Sequence, residues 1–331
     1  MRRETDPGRR RSRRPRLTIV LPVLAVLISV ATTVAAGTVG FQRVTVADSD
    51  GKPREVGIWY PSDAPASPQP LGPYRQTVAV DGDVAGRRLG LVVILHGVQG
   101  WFGNHYPTAL ALAEAGFVVA AVTHGQDVRL VEQPRHVGRV LDYMLATWPH
   151  HDRLDPARIG IFGFSVGGFT ALVAVGGVPD LGRIPAYCAE YQDRVCGALK
   201  ERNTDLSVPA SAWVHDARIK AAVVAAPTLG FTLGPPALAP VKVPIQLWRA
   251  GSDEITPHPR HAEAIYHALA TRPEYVVVPN AGHFVFVACS AEMAQRAPAV
   301  CRDAPDFDRP AFHREFNAAV VTFFKARLPA P

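Results

Sequence analysis

Scarcity sets the first limits on this 331-residue sequence. Cysteine occurs only four times and never as CxxC, which disfavours a structural zinc site. No segment repeats at a fixed period, which excludes solenoids and propellers. Basic excess is missing from almost the whole chain. Residues 1–16 hold eight arginines, Glu4 and Asp6, a net +6, and the complete chain is also +6. Everything after residue 16 is therefore neutral overall and offers no basic stripe to phosphates. Nucleic acid is excluded as a partner on that ground. Charge of either sign is absent from Leu17 to Val39.

What is present is largely apolar. Hydrophobic residues make up 48% of the sequence, enough for a substantial core in one large domain or two small ones. The stretch LTIVLPVLAVLISVATTVAAGTV, residues 17–39, is as long as a bilayer-spanning helix needs to be. The arginine-rich tail, residues 1–16, orients it with the tail in the cytoplasm and residues 40–331 outside. The segment reads either as a signal peptide, cleaved after VAA and before Gly37, or as an uncleaved transmembrane anchor; signal cores usually have only about 7–15 apolar residues. Both readings make the rest of the chain extracytoplasmic, secreted or membrane-anchored. Cys188, Cys196, Cys289 and Cys301 all lie there, and an even count in an exported domain points to two disulfides. Three connectivities are open. The local pairs Cys188–Cys196 and Cys289–Cys301 are preferred, because each brackets a short loop-like stretch.

Residues 41–60 predict two strands joined at Asp50-Gly51. Residues 61–73, PSDAPASPQPLGP, predict an exposed proline-rich loop. Continuous apolar runs predict strands buried on both faces at 89–97, 117–124, 158–164, 218–227, 243–251 and 274–280. Helices are expected at 106–115, 134–148, 166–175, 258–270 and 309–325. Such alternation implies an α/β fold: a mostly parallel central sheet flanked by helices, with an antiparallel start. Residues 179–216 have no clear periodicity. They read as a lid-like insertion over the carboxyl edge of the sheet, either a substrate wall or a disulfide-pinned excursion.

One motif carries chemistry. Gly163-Phe164-Ser165-Val166-Gly167 fits GxSxG at a predicted strand-to-helix turn. Glycine at both outer places lets strand and helix pass closely while the serine hydroxyl is exposed. A serine hydroxyl needs a base to take its proton. His283, in VPNAGHFVF, is the candidate, since it follows a strand and a small-residue turn near the end of the sheet. His96 is expected to bond the loop that follows it, and His124 to line the pocket. His258 and His261 sit at a spacing open to metal ligation but are read as a polar helix face. The base in turn needs an acid to fix its tautomer. Asp253, in LWRAGSDEITP, is chosen, with Glu254 as neighbouring alternative. An acyl intermediate needs two aimed N–H donors. Val166, just after the serine, is one, and Val98, in HGVQGW, is the other. Trp101, Phe102 and Phe284 are candidates for an apolar acyl wall or for ordinary core.

The order Ser165, Asp253, His283 is that of α/β-hydrolases. Beyond it, the chain from about Gly40 to Leu328 resembles exported α/β-hydrolases of the predicted dienelactone hydrolase group, related to platelet-activating-factor acetylhydrolases. The likeness rests on VGIWYP, VVILHGVQG, DPARIGIFGFSVGGFTAL, RIKAAVVAAP, VPIQLWRAGSDEITP, NAGHFVF and FDRPAFHREFNAAVVTFF. It implies a serine-dependent hydrolase of carboxylic esters, with nucleophile, acid and base at Ser165, Asp253 and His283. Two departures matter. Dienelactone hydrolases carry a cysteine where this chain has Ser165. The acetylhydrolases carry their acid after the strand that follows the nucleophile helix, where this chain reads Ala225-Ala226-Pro227. Similar scaffolds also serve as secreted polyester-degrading enzymes.

The expectation is a serine esterase acting on a small or lipid-like ester, needing no cofactor or metal. Two other readings stand beside it. One is an acyltransferase on the same triad, which a competing alcohol acceptor would reveal in the products. The other is a non-catalytic membrane-tethered binding protein, which would react with neither p-nitrophenyl acetate nor a fluorophosphonate.

Overall fold

Ten strands form one sheet in a computed structural model that describes residues 37–48, 51–125 and 129–330. The strands are β1 (Thr38–Ala47), β2 (Pro53–Ser62), β3 (Ser67–Leu71), β4 (Tyr74–Val80), β5 (Leu89–Leu95), β6 (Phe117–Val122), β7 (Leu154–Phe164), β8 (Ile219–Ala225), β9 (Ile245–Ala250) and β10 (Glu274–Val278). Their order across the sheet is β10-β9-β8-β7-β5-β6-β2-β1-β4-β3. The six strands from β10 to β6 are parallel, and β2 and β3 run against their neighbours. The helices are α1 (Tyr106–Glu114), α2 (Gln133–Asp142), α3 (Val166–Ala174), α4 (Ile184–Tyr191), α5 (Arg194–Glu201), α6 (Pro235–Leu238), α7 (Ala262–Ala268), α8 (Ala291–Arg296) and α9 (Arg309–Arg327).

Both faces of the central strands are covered, which is why their sequences are apolar without a break. In β5, Leu91, Val93 and Leu95 join the core beneath α2 and α3. The alternate residues Val92 and Ile94 join the core beneath α1 and α9. Residues two apart on a strand share a face, so one seven-residue run feeds two cores. On the second face Phe162 of β7 meets Phe316 of α9 edge-on, with ring centroids 6.0 Å apart. Among fully buried side chains, Phe316 and Phe324 anchor α9 across the sheet.

Several expectations are corrected. Residues 61–73 are not simply a loop: β3 lies within them, at the sheet's edge. An edge position tolerates Pro68 and Pro70, because a missing ladder donor can face outward there. β4 follows with no counterpart among the predicted strands. The helix expected at 134–148 divides into α2 and a wider π-type turn over Tyr143–Thr147. The helix expected from His258 begins at Ala262, after Pro257 and Pro259. Residues 179–216 contain α4 and α5, linked by Gln192 in the left-handed region and capped by Asp193, whose carboxylate accepts from the Val195 and Cys196 N–H groups.

Thr38 and Val39, counted in the sequence with the apolar N-terminal run, begin β1, and Val39 is buried. Residues 17–36 and Asp50 lie outside the described residues. Among the described residues no helix is long and apolar enough to cross a membrane. The cysteines pair locally, Cys188 with Cys196 and Cys289 with Cys301. Such bonds belong to an oxidising compartment.

Candidate active site

The carboxyl ends of three parallel strands build the site. β7 stops at Phe164 and α3 starts at Val166, which leaves Ser165 alone in the turn at φ 56° and ψ −117°. An L-residue at positive φ is strained, so the surroundings must hold it. They do so through the backbone. Ser165 N–H donates to the Ala225 carbonyl at 2.9 Å, and the Ser165 carbonyl accepts from Thr228 N–H at 3.2 Å. The flanking glycines have a steric cause. A Cβ on Gly163 would lie 2.1 Å from the Gly167 carbonyl oxygen. One on Gly167 would lie 2.5 Å from the carbonyl oxygen of Leu95, at the end of β5. Strand, helix and neighbouring strand thus meet backbone to backbone.

Asp253 stands in the turn after β9, and His283 opens a short 3-10 turn after β10. His283 Nε2 accepts from the Ser165 hydroxyl at 3.0 Å, and its Nδ1–H donates to Asp253 Oδ2 at 2.8 Å. Ser165, Asp253 and His283 are each more than nine-tenths buried. Asp253 Oδ1 also accepts from the N–H groups of Ile255, at 2.9 Å, and Thr256, at 2.7 Å. Oδ2 accepts from the Thr256 hydroxyl at 2.8 Å. Burial alone would raise this carboxyl's pKa. The His283 imidazole and the Thr256 donors outweigh burial and hold it below the ordinary carboxylate value. Glu254, the alternative acid, is exposed.

The two expected oxyanion donors, Val98 and Val166, both line the cavity that holds Ser165. Val166 is the first residue of α3, where N–H groups have no partner inside the helix. Val98 lies in the loop after β5 and lines the cavity together with Ser165 and His283. Its neighbour is clamped: His96 Nδ1–H donates to the Gly97 carbonyl at 2.6 Å. That carbonyl and the Val98 N–H share one peptide plane, so the bond also sets where the Val98 N–H points. His96 Nε2 in turn accepts from the His124 backbone N–H at 2.9 Å. Burial pushes the His96 ring down to about 4, with the Gly97 bond opposing it, so the ring is neutral at pH 7.

Above the hydroxyl lies a cavity of about 700 Å³. Val131, Val195, Leu199, Leu229 and Phe284 contribute apolar wall, while Arg129, Arg194 and Arg202 bring cationic groups. Val195 and Leu199 belong to α5, so the segment 179–216 does wall the cavity, and it is disulfide-pinned as well. Other expectations divide. Phe284 lines the cavity, but Phe102 is buried against Trp59 and Trp101, and Trp101 stacks on Tyr74. His124 does not line the pocket; it is buried and stacked on His136. His258 pairs with Glu263, and His261 is fully buried beside Tyr187.

Sequence reasoning missed Thr256, whose backbone and hydroxyl both hold Asp253. The turn SDEIT carried that signal, because a carboxylate commonly accepts from N–H groups two and three residues on. It also missed α5 as a named wall, a helix of only eight residues set inside the irregular segment 179–216.

No family model matches the chain, and no curated protein does. Among solved structures, the chain is similar to a ferulic acid esterase from Streptomyces cinnamoneus, with a TM-score of 0.61 and 19% identity over 92% of this chain and 94% of that one. At that identity the likeness speaks for the fold. Together with the parallel sheet and the strand–Ser165–helix turn, it defines an α/β-hydrolase fold.

Proposed function

We propose that the protein is a serine hydrolase of carboxylic esters, acting on a small or lipid-like ester. One observation carries the reading: the hydrogen-bonded line Ser165–His283–Asp253 at the floor of a largely apolar cavity. Ser165 Oγ attacks the ester carbonyl as His283 Nε2 takes its proton. The imidazolium is stabilised by Asp253, which stays ionised. The carbonyl electron pair moves to oxygen, facing the Val98 and Val166 N–H groups. The tetrahedral intermediate then collapses, and the alcohol leaves with the proton from His283. Water, deprotonated by the same ring, attacks the acyl carbonyl, and the acyl–Oγ bond breaks as His283 returns the proton to Ser165 Oγ and the acid leaves.

The motif resemblance to the predicted dienelactone hydrolase group supports ester chemistry, while the serine nucleophile weighs against dienelactone itself. The structural neighbour's name adds a ferulic acid ester to the panel worth trying. We place the catalytic unit outside the cytoplasm, on the strength of its two disulfides and the N-terminal apolar run.

The test is direct. A fluorophosphonate should label Ser165, read by peptide mass, and Ser165→Ala should abolish both labelling and hydrolysis of p-nitrophenyl acetate. Full esterase activity in Ser165→Ala would sink the proposal. A panel of esters of increasing acyl length, with a ferulic acid ester included, reads the substrate range.

A further inference from the structure

The segment that carries His283 is held in an unusual way. Four consecutive carbonyls just after it each accept a hydrogen bond from a different side chain. Val285 takes His313 Nε2–H at 2.8 Å, and Phe286 takes His105 Nδ1–H at 3.0 Å. Val287 takes Arg309 Nη1 at 3.0 Å, and Ala288 takes the Tyr74 hydroxyl at 3.1 Å. These donors come from β4, the turn before α1, and α9. Arg309 is itself fixed by two bonds to Asp303, just past Cys301 of the second disulfide.

His105 does more than donate. Its ring packs edge-on against Phe164, at 5.4 Å between centroids, and Phe164 packs against the His283 ring at 4.9 Å. Phe164 is also the residue directly before Ser165. One side chain therefore touches the strand end that delivers the hydroxyl and the segment that delivers the base. His105 is buried, with its Nε2 unpartnered among the described residues. An apolar residue of similar size would avoid that unpaired nitrogen. The imidazole keeps a donor that no apolar residue supplies.

We propose that His105 is a positioning residue for catalysis: it sets the spacing of Ser165 and His283 by holding the Phe286 carbonyl and the Phe164 ring, with His313 as its partner at the adjacent Val285 carbonyl. The proposal rests on the Ser–His–Asp reading of the site. A shift of about an ångström between nucleophile and base is worth roughly 100-fold in rate, so the effect should be large on turnover and small on binding.

The experiment compares His105→Leu, which removes the donor, with His105→Asn, whose amide nitrogen can stand where Nδ1 stood. Kinetics use p-nitrophenyl acetate, and Ser165 phosphonylation by a fluorophosphonate is timed in parallel. His105→Leu should lose about 10- to 100-fold in kcat and in labelling rate, with KM within about twofold. His105→Asn should recover much of that loss. If His105→Leu does not fold, His313→Ala against His313→Gln takes its place, with loss in the first and recovery in the second. Wild-type kcat in a folded His105→Leu or His313→Ala overturns the positioning role alone. Equal losses in the leucine and asparagine variants also overturn it. A wild-type chain that the fluorophosphonate does not label overturns the nucleophile reading itself, and positioning falls with it.

Discussion

Replacing Asp253 by asparagine tests the site most sharply, because it changes one acceptor into a donor and little else. The amide oxygen can take the place of Oδ1 and keep the Ile255 and Thr256 N–H groups, now at 2.9 and 2.7 Å. The amide nitrogen then takes the place of Oδ2, which accepts His283 Nδ1–H at 2.8 Å. Two donors cannot bond, so the imidazole must move its proton to Nε2, the atom that faces Ser165 Oγ at 3.0 Å. A ring in that tautomer cannot take the serine proton. The expected loss in kcat is about 10⁴-fold, or about 5.5 kcal/mol of barrier. Stability should change far less, since the turn keeps its N–H partners. Asp253→Ala behaves differently. It leaves the buried Thr256 N–H and hydroxyl without their acceptor, at about 1–3 kcal/mol for each orphaned group, so both activity and Tm should fall. Glu254→Gln, at an exposed position, should resemble wild type. The assays are kcat/KM on p-nitrophenyl acetate and thermal unfolding of each variant. Asp253→Asn within tenfold of wild type would refute the assignment of the acid.

Three further outcomes are expected. Gly163→Ala should fail to fold or lose much of its Tm, because its Cβ would lie 2.1 Å from the Gly167 carbonyl oxygen and both sides are backbone; Gly197→Ala in α5, with open space around it, should hold or gain about 0.5–1 kcal/mol, and equal Tm changes would contradict the steric account. Acid should destabilise the fold through its buried histidines: burial pushes His96 to about 4 and His105 to about 3, so between those values and about 6.5 the unfolded chain binds more protons, and stability complete above about pH 6.5 is lost as pH falls. Asp253, held low in the fold, acts in the same direction at still lower pH, and a Tm that stays flat from pH 7 to 4 would argue against neutral buried rings. Reducing and alkylating the disulfides, which close sequence separations of 8 and 12 residues, should cost about 2–3 kcal/mol each, read as a fall in Tm on addition of reductant; no fall would mean that the pairs do not constrain the unfolded chain.

The parts of the fold legible in sequence are those where burial writes a pattern. β5, β6 and β7 sit in the middle of the sheet, so nearly every residue is apolar and the runs stand out. β3 and β4 lie toward the open edge; β3 is mostly exposed and includes Pro68 and Pro70, and β4 alternates in burial, so neither shows a continuous apolar run. α4 and α5 are only eight residues each, and their boundary depends on a left-handed Gln192 and the Asp193 cap. In the site, Ser165 was legible because GxSxG is local. Asp253 and His283 were legible through chain order and the turns that follow strands. His105 was not: its bond to Phe286 spans 181 residues, and nothing local marks a histidine at the start of a helix as a brace for another histidine.

Sheet order also shows how the turn after β8, which has no carboxylate, differs from the turn after β9, where the proposed acid Asp253 stands. Parallel strands bring every β-to-α turn to one edge, so β7, β8, β9 and β10 all end near the same point. β8 is the immediate neighbour of β7, and its end is already committed to the serine turn. The Ala225 carbonyl takes the Ser165 N–H, and the N–H of Thr228, three residues on, reaches back to the Ser165 carbonyl. Ala226, between them, has positive φ and is buried in the core. A carboxylate there would enter apolar packing without the donors that hold Asp253. One strand further along, the turn after β9 is free to wrap a carboxylate in two N–H groups and a hydroxyl, and to face it to the ring delivered by β10. In this chain the turn after β8 thus holds Ser165 in its strained conformation, and the carboxylate that faces His283 stands one strand further along the sheet.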